Sequence, residues 1–410
     1  MRLLYLAHRF PHPPDKGERI RAFHQIRALS EHGEVHLVCP VVEDPSAESL
    51  DELRKYCASV NFAPQSAWTA PLREAARAAS GAPRMTGTFH SPGLARVFRR
   101  VLTTRAIDRI LVSSLHVAEA ARAVNHVPKA IDLVDVYSQL WLDISRTQRQ
   151  PIAWLSANES RRLAQYEARL AQEFDRVILA SRGEAELFRA TVADRPVAVV
   201  GNGVDLDYFR PPKNDTAPST PTIVFTGWMD YAPNVDAVRF FCAEVLPQLR
   251  VRHPGVLFSI VGRNPSRAVC ALANEPGVSV KGAVADVRPH VAGAVAAVAP
   301  LRVARGIQNK VLEAMAMGVP VVASPAALAG LEDDPGDGAR RASDPLSFVR
   351  ELDSLITDPG WRRRCATAAR GYVERCHRWE VQGTRLADIL REMSAASTAT
   401  GRAQAGGGAS

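Results

Sequence analysis

The sequence predicts an α/β protein with two parallel sheets. Short apolar runs alternate with longer helical patterns from end to end, which is how parallel strands joined by crossover helices read. One segment breaks the rhythm: Arg210-Pro211-Pro212-Lys213-Asn214-Asp215-Thr216-Ala217-Pro218-Ser219-Thr220-Pro221, rich in proline and polar residues, reads as a linker. At 410 residues and 46% hydrophobic content, the chain has enough material for two cores at roughly 100 to 200 residues per domain.

The first half offers strands at 3–7, 35–39, 60–63, 109–112, 130–134, 177–180 and 197–200, and the second at 222–226, 257–261, 278–280, 296–299 and 319–323. Helical patterns follow at 345–357, 361–376 and 380–393. Beyond them, 394–410 is dominated by Ala, Ser, Thr and Gly and holds too little apolar surface to order itself, so a disordered tail is expected. The expected layout is therefore a first domain over 1–209, the linker over 210–221, and a second domain over 222–378.

The formal charge is +8 with 6% aromatic residues. Basic residues are spread along the chain and no basic motif is interleaved with aromatics, so nucleic acid is not an expected partner. Phosphorylated small molecules or lipid headgroups suit the charge better. The helical region 154–173, with Arg161, Arg162 and Arg169, is a candidate docking face for an anionic membrane surface, though a solvated helix explains it too. Cys39, Cys57, Cys242, Cys270, Cys365 and Cys376 show no metal or redox spacing and read as reduced thiols. No apolar run reaches the length of a membrane span and the N-terminal run is too short for a signal peptide, so a cytoplasmic protein is expected.

Ligands in such sheets bind beyond the carboxyl ends of the strands. The most informative stretch is Gly306-Ile307-Gln308-Asn309-Lys310-Val311-Leu312-Glu313-Ala314-Met315-Ala316-Met317-Gly318, which reads as loop, short helix and glycine stop before a buried strand. Gly306 permits close backbone approach, and the N–H groups opening a helix favour phosphate. Lys310 and Glu313, three apart, share one helix face. A cation to neutralise a diphosphate and a carboxylate to accept hydrogen bonds from sugar hydroxyls together describe a nucleotide-sugar pocket, although a surface ion pair would show the same spacing. Gly227 after the strand at 222–226 and Arg263 after that at 257–261 add a small residue and a cation at the same rim, and 282–287, ending near Asp286, offers backbone groups to a base.

In the first half, Arg9, Lys16 and Arg19 surround a helix start at Gly17, with Asp15 and Glu18 at capping-box spacing. His116 follows a strand end and suits a contact with a sugar hydroxyl or with a backbone carbonyl near the reaction centre, though a lone histidine is more often structural. Asp135, at another, suits orienting an acceptor or acting as a base, and turn formation explains it equally well. Asn202-Gly203-Val204-Asp205 reads as a tight turn with positive φ at an interdomain cleft, and Asp205 is a further candidate ligand contact.

Taken in order, Asn202-Gly203-Val204-Asp205, Gly227, Arg263, Asp286 and the block from Gly306 resemble the retaining nucleotide-sugar glycosyltransferases of family four. Arg9-Phe10-Pro11 and Asp15-Lys16-Gly17-Glu18-Arg19 look like the branch associated with PEP-CTERM exosortase and exopolysaccharide systems. The resemblance implies the glycosyltransferase-B fold: two Rossmann-like domains facing across a cleft, with the helix at 379–393 crossing back to the first. It implies transfer from a nucleoside diphosphate sugar to a lipid-linked saccharide or other polysaccharide precursor, peripheral to the inner face of the plasma membrane, with no metal or further cofactor.

Arg263, Lys310, Glu313 and His116 would be catalytic; Gly17, Gly227, Asp286, Arg305, Gly306, Ile307, Gln308 and Asn309 would hold the donor. The pattern departs from the family at Arg305, where a first glutamate is usual, and at Gly17, a single glycine where many relatives carry two. Arg305 suits a diphosphate or a charged sugar. The alternatives are a nucleotide-sugar binding protein without catalysis and a nucleotide-sugar epimerase of the same fold.

Overall fold

The computed structural model describes residues 1–192, 195–212 and 220–393. The chain divides into two units, one formed by Met1–Val200 with the described residues from Gln382 onward, the other by Gly201–Val381. The expected tail at 394–410 lies outside the described residues, as does the middle of the expected linker.

The first unit is a seven-stranded parallel sheet: β1 (Arg2–Ala7), β2 (Glu34–Val41), β3 (Ser59–Pro64), β4 (Arg109–Ser113), β5 (Lys129–Val134), β6 (Arg176–Leu179) and β7 (Val197–Val199), ordered β3-β2-β1-β4-β5-β6-β7. Its strands are apolar on both faces because helices cover both. Leu4, Leu6, Ile110 and Val112 face one core with Phe98, Leu163 and Phe188. Leu3, Tyr5, Leu37 and Leu111 face the other with Ile26 and Leu29. Leu386, Ala387 and Leu390 of the helix Trp379–Glu392 complete that second core. Gly383 is required there, because a Cβ would lie 2.1 Å from the Cβ of Ala28.

A buried polar network ties the second core together. Arg21 donates to both carboxylate oxygens of Asp132 (2.8 and 3.1 Å) and to Val200 O. Gln25 donates to the same carboxylate and accepts from Tyr5 Oη at 2.6 Å. The Arg21 and Asp132 side chains are 3% and 0% exposed, so each charge depends on the other.

The second unit is a six-stranded parallel sheet: β8 (Thr222–Thr226), β9 (Leu257–Val261), β10 (Val278–Gly282), β11 (Ala296–Ala299), β12 (Val321–Ala323) and β13 (Ala339–Arg341), ordered β10-β9-β8-β11-β12-β13. The edge strand β13 escapes sequence reading because Arg340 and Arg341 leave too little apolar signal. The division between the units falls at Gly201, ahead of the expected linker, and local pairing accounts for this. Val204 N donates to His377 O at 2.7 Å, and the buried His377 donates from Nδ1 to Asn202 O at 2.9 Å. Gly203 has no positive φ, contrary to the tight turn expected at Asn202-Gly203. It is glycine because a Cβ would lie 2.6 Å from Trp379 N.

Asp132→Ala should lower unfolding stability by about 3–5 kcal/mol, since it strands a buried guanidinium. Denaturant titration measures this; a loss below about 1 kcal/mol would show that the network is dispensable.

Candidate active site

In the second unit the strand order reverses between β8 and β11, so the residues after these two strands diverge and leave a crevice. Gly227 follows β8, Gly262 follows β9, and the segment after β11 leads into the helix Asn309–Ala316. The ends of β8 and β9 are drawn together: a Cβ on Gly262 would sit 1.6 Å from Gly227 O. Gly227 N donates to Val261 O and Gly262 N to Gly282 O, which carries the ladder on to β10.

Lys310 lies in this crevice. Its Nζ donates to Asn234 Oδ1 at 2.5 Å and sits 4.3 Å from the centre of the Phe225 ring. A Cβ on Gly227 would be 2.7 Å from Asn234 Nδ2 and 3.2 Å from Lys310 Nζ, so only glycine leaves room for both. Sequence reading missed Asn234, which stands in the first turn of an ordinary-looking helix, Ala232–Phe240. It also missed Phe225, an apolar residue in an apolar strand.

The helix carrying Lys310 is shaped at both ends. Gly306 takes φ +59, and Gly330 packs so close that a Cβ would be 2.1 Å from Gly306 O. Gln308 is the N-cap but makes no side-chain cap; its amide instead donates to Arg305 O at 2.9 Å. Asn309 Oδ1 accepts from Asn202 at 3.1 Å, while Ile307 is buried. At the far end Gly318, at φ +67, donates to Met315 O and Val319 to Ala314 O, closing a Schellman turn.

Burial acts on the two ionisable groups in opposite senses. It pushes the Lys310 amine down to about 7, with Glu313 pulling the other way. It pushes the Glu313 carboxyl up to about 7, opposed by Lys310. The half-buried pair is therefore poorly solvated as it stands, and an anionic ligand that pairs with Lys310 would restore its charge.

Other expected contacts are already engaged. Arg263 lies 6.0 Å from the Trp228 ring centre. The Asp286 carboxylate is held bidentately by Arg288, which keeps it below the usual carboxylate range. Arg288 in turn lies 3.9 Å from the Tyr208 ring centre. Asp205 Oδ1 accepts from Asp207 N and Tyr208 N, so it shapes its own turn.

In the first unit, the spacing of Asp15 and Glu18 does not produce a capping box. The N-cap of the helix Gly17–Ser30 is Lys16, with no side-chain cap. Asp15 pairs with Arg19 (3.1 Å) and Glu18 with Arg9 (2.9 Å), because each carboxylate finds a closer guanidinium. His116 Nδ1 pairs with Ser114 Oγ at 2.6 Å, and its ring stacks on His8 5.6 Å away. Burial, His8 and Arg9 push its imidazole down to about 3, so it is neutral near pH 7. Asp135 follows Val134, a β-branched residue at φ +68 whose turn is closed by Asp135 N donating to Leu133 O. Among the described residues no group of three His, Cys, Asp or Glu side chains could hold a metal ion.

Gly262→Ala should lower stability by about 1–3 kcal/mol by forcing β8 and β9 apart. Gly255→Ala, with open space around its Cβ position, should stay within about 0.5 kcal/mol of wild type. Thermal unfolding of the two variants checks this.

Comparison with known proteins adds to the geometry. Residues 220–358 match the family model described as glycosyl transferases group 1. No curated protein sequence matches the chain. Among solved structures it is similar to sucrose-phosphate synthase from Thermosynechococcus elongatus, at 16% identity over 97% of this chain and 100% of that one, TM-score 0.70. It is also similar to Anabaena Alr3699/HepE in complex with UDP and glucose, at 14% identity over 96% and 100%, TM-score 0.64. A third is WaaG, a glycosyltransferase involved in lipopolysaccharide biosynthesis, at 15% identity over 95% and 100%, TM-score 0.64. The chain thus has the glycosyltransferase-B fold, and residues 220–358 of its second unit match the group 1 glycosyl transferase model.

Proposed function

We propose that the protein transfers a sugar from a nucleoside diphosphate donor to a lipid-linked saccharide or other polysaccharide precursor, with retention at the anomeric carbon. The setting would be exopolysaccharide biosynthesis at the inner face of the plasma membrane. The observation that carries this reading is Lys310 and Glu313 on one helix face at the switch point, with Lys310 seated against Gly227, Asn234 and Phe225. The fold and the group 1 domain support it, and so does the UDP bound by the Anabaena neighbour.

In this reading the diphosphate lies beside Lys310, with Arg263 as a second cation, and Gly227 admits it close to the backbone. Glu313 accepts the ribose hydroxyls. As the bond from the anomeric carbon to the diphosphate breaks, negative charge collects on the departing oxygen, and fixed cations stabilise that charge more than the ground state. Neutral His116 serves as a hydroxyl-binding group of the first unit. Arg305 favours a second reading, a donor-binding protein without turnover, since the resemblance expects a carboxylate there.

The test is calorimetric binding of UDP, GDP and ADP sugars, followed by nucleoside diphosphate release. Glu313→Ala should weaken the tightest donor at least about tenfold, the scale of a lost charged hydrogen bond. Tight binding without release in the presence of membrane extract would favour the donor-binding reading, and no binding at all would overturn the site.

The pair also sets a pH dependence. The donor binds the charged amine, so affinity is complete below about 7 on this limb and falls as pH rises through it. The donor also binds the ionised carboxylate, so affinity falls as pH drops through about 7. Each limb falls by at most about tenfold per pH unit. Donor titrations should therefore give a bell centred near neutrality. Lys310→Ala should flatten its alkaline limb and Glu313→Gln its acid limb.

A further inference from the structure

The helix Ala70–Ala79 in the first unit is turned inside out. None of its residues is buried, and its polar side chains face the protein. Arg73 donates to Gly87 O and Thr88 O, Glu74 accepts from Thr88 Oγ1, and Arg77 reaches Thr86 and Glu119. Its apolar side faces out: Leu72 is 72% exposed, and Trp68, just before the helix, is 93% exposed. Pro71, Ala75, Ala76 and Ala79 extend the same exposed face. A surface helix of a globular protein ordinarily does the reverse.

The neighbouring helix Ile152–Glu173 also exposes apolar residues. The two are joined where Arg162 donates to Ala78 O at 3.0 Å, and the turn Arg84–Gly87 that follows is tied to the second helix by Met85 N donating to Glu159 at 3.3 Å. Ile152, Trp154 and Leu155 are 56%, 57% and 49% exposed at its start. Arg161 and Arg169 are exposed at helical spacing from Trp154, and Arg149 precedes them in the loop. The carboxylates turn inward: Glu159 and Glu167 are buried, the latter accepting from Ser138 N and Oγ, and Glu173 pairs with Arg122. Arg149, Arg161 and Arg169 have no carboxylate partner among the described residues.

From this geometry we infer that the exposed faces of the helices Ala70–Ala79 and Ile152–Glu173 form a docking surface for an anionic lipid bilayer. Trp68, Leu72 and Trp154 enter the interface, where tryptophan is at home, and the arginines meet the headgroups. Charge selects the bilayer over a second copy of the chain: a two-fold contact through this face would set the same unpaired arginines near one another. The inference deepens the lipid-linked acceptor reading, since it would hold the protein where such acceptors reside.

The experiment is co-sedimentation of the full chain with vesicles of phosphatidylcholine alone or mixed with phosphatidylglycerol, without donor. Binding is expected only with phosphatidylglycerol and should weaken as salt rises. Trp68→Gln with Leu72→Gln should reduce it at least about tenfold, the worth of two apolar side chains withdrawn from an interface. Arg161→Gln with Arg169→Gln should reduce it about tenfold or more, at about fivefold per cation. All four positions lie outside the nucleotide site, so donor binding should stay at wild-type level. Brominated lipids should quench part of the tryptophan fluorescence of the unaltered protein.

Absent binding, equal binding to uncharged vesicles, no quenching, or either double variant binding like wild type would overturn the surface. So would a dimer that Trp68→Gln disperses without any vesicle binding. Failure here with donor binding intact would leave the transferase reading standing, whereas loss of donor binding alone would count only against that reading.

Discussion

The site depends on the close approach of two backbones. β8 and β9 end in glycines whose separation leaves no room for a side chain on Gly262. Beside that contact, the missing side chain of Gly227 leaves the space that Asn234 and Lys310 share. The cation then rests on Phe225 from the same strand. A larger residue at Gly227 would press on Asn234 and Lys310, and one at Gly262 would force the ends of β8 and β9 apart. The parallel sheet explains why the contact falls here: at the switch between β8 and β11 the following segments part, and what remains is a crevice lined by strand ends.

The two units treat buried charge in different ways. In the first, Arg21 and Asp132 meet in bidentate geometry, and Gln25, Tyr5 and Val200 satisfy the remaining groups. That network is complete and needs nothing from outside. In the second, Lys310 and Glu313 each move toward neutrality because the site solvates neither well. Structural ion pairs are satisfied within the protein, whereas a site held ready for a charged ligand carries a local cost that the ligand relieves.

Much of this was legible in the sequence. Buried parallel strands are short but unbroken apolar runs, so most were readable, and the loop, helix and glycine stop around Lys310 followed from Gly306 and Gly318. What escaped depends on neighbours distant in the chain. Gly203 reads as a turn residue but is glycine because of Trp379. Asp15 and Glu18 have the spacing of a cap, yet nearby arginines take both carboxylates. Asp286 reads as a free ligand group until Arg288 is seen closing on it. The outward apolar face of the helix Ala70–Ala79 escaped for a different reason: periodicity reveals that a helix has two faces but not which one the protein covers.

The most direct test of the account is a crystal structure of the protein with a bound UDP sugar. The account predicts the diphosphate within hydrogen-bonding distance of Lys310 Nζ, close to Gly227, with the ribose hydroxyls on Glu313. A nucleotide bound elsewhere, or one whose diphosphate leaves Lys310 on Asn234 without contact, would contradict it.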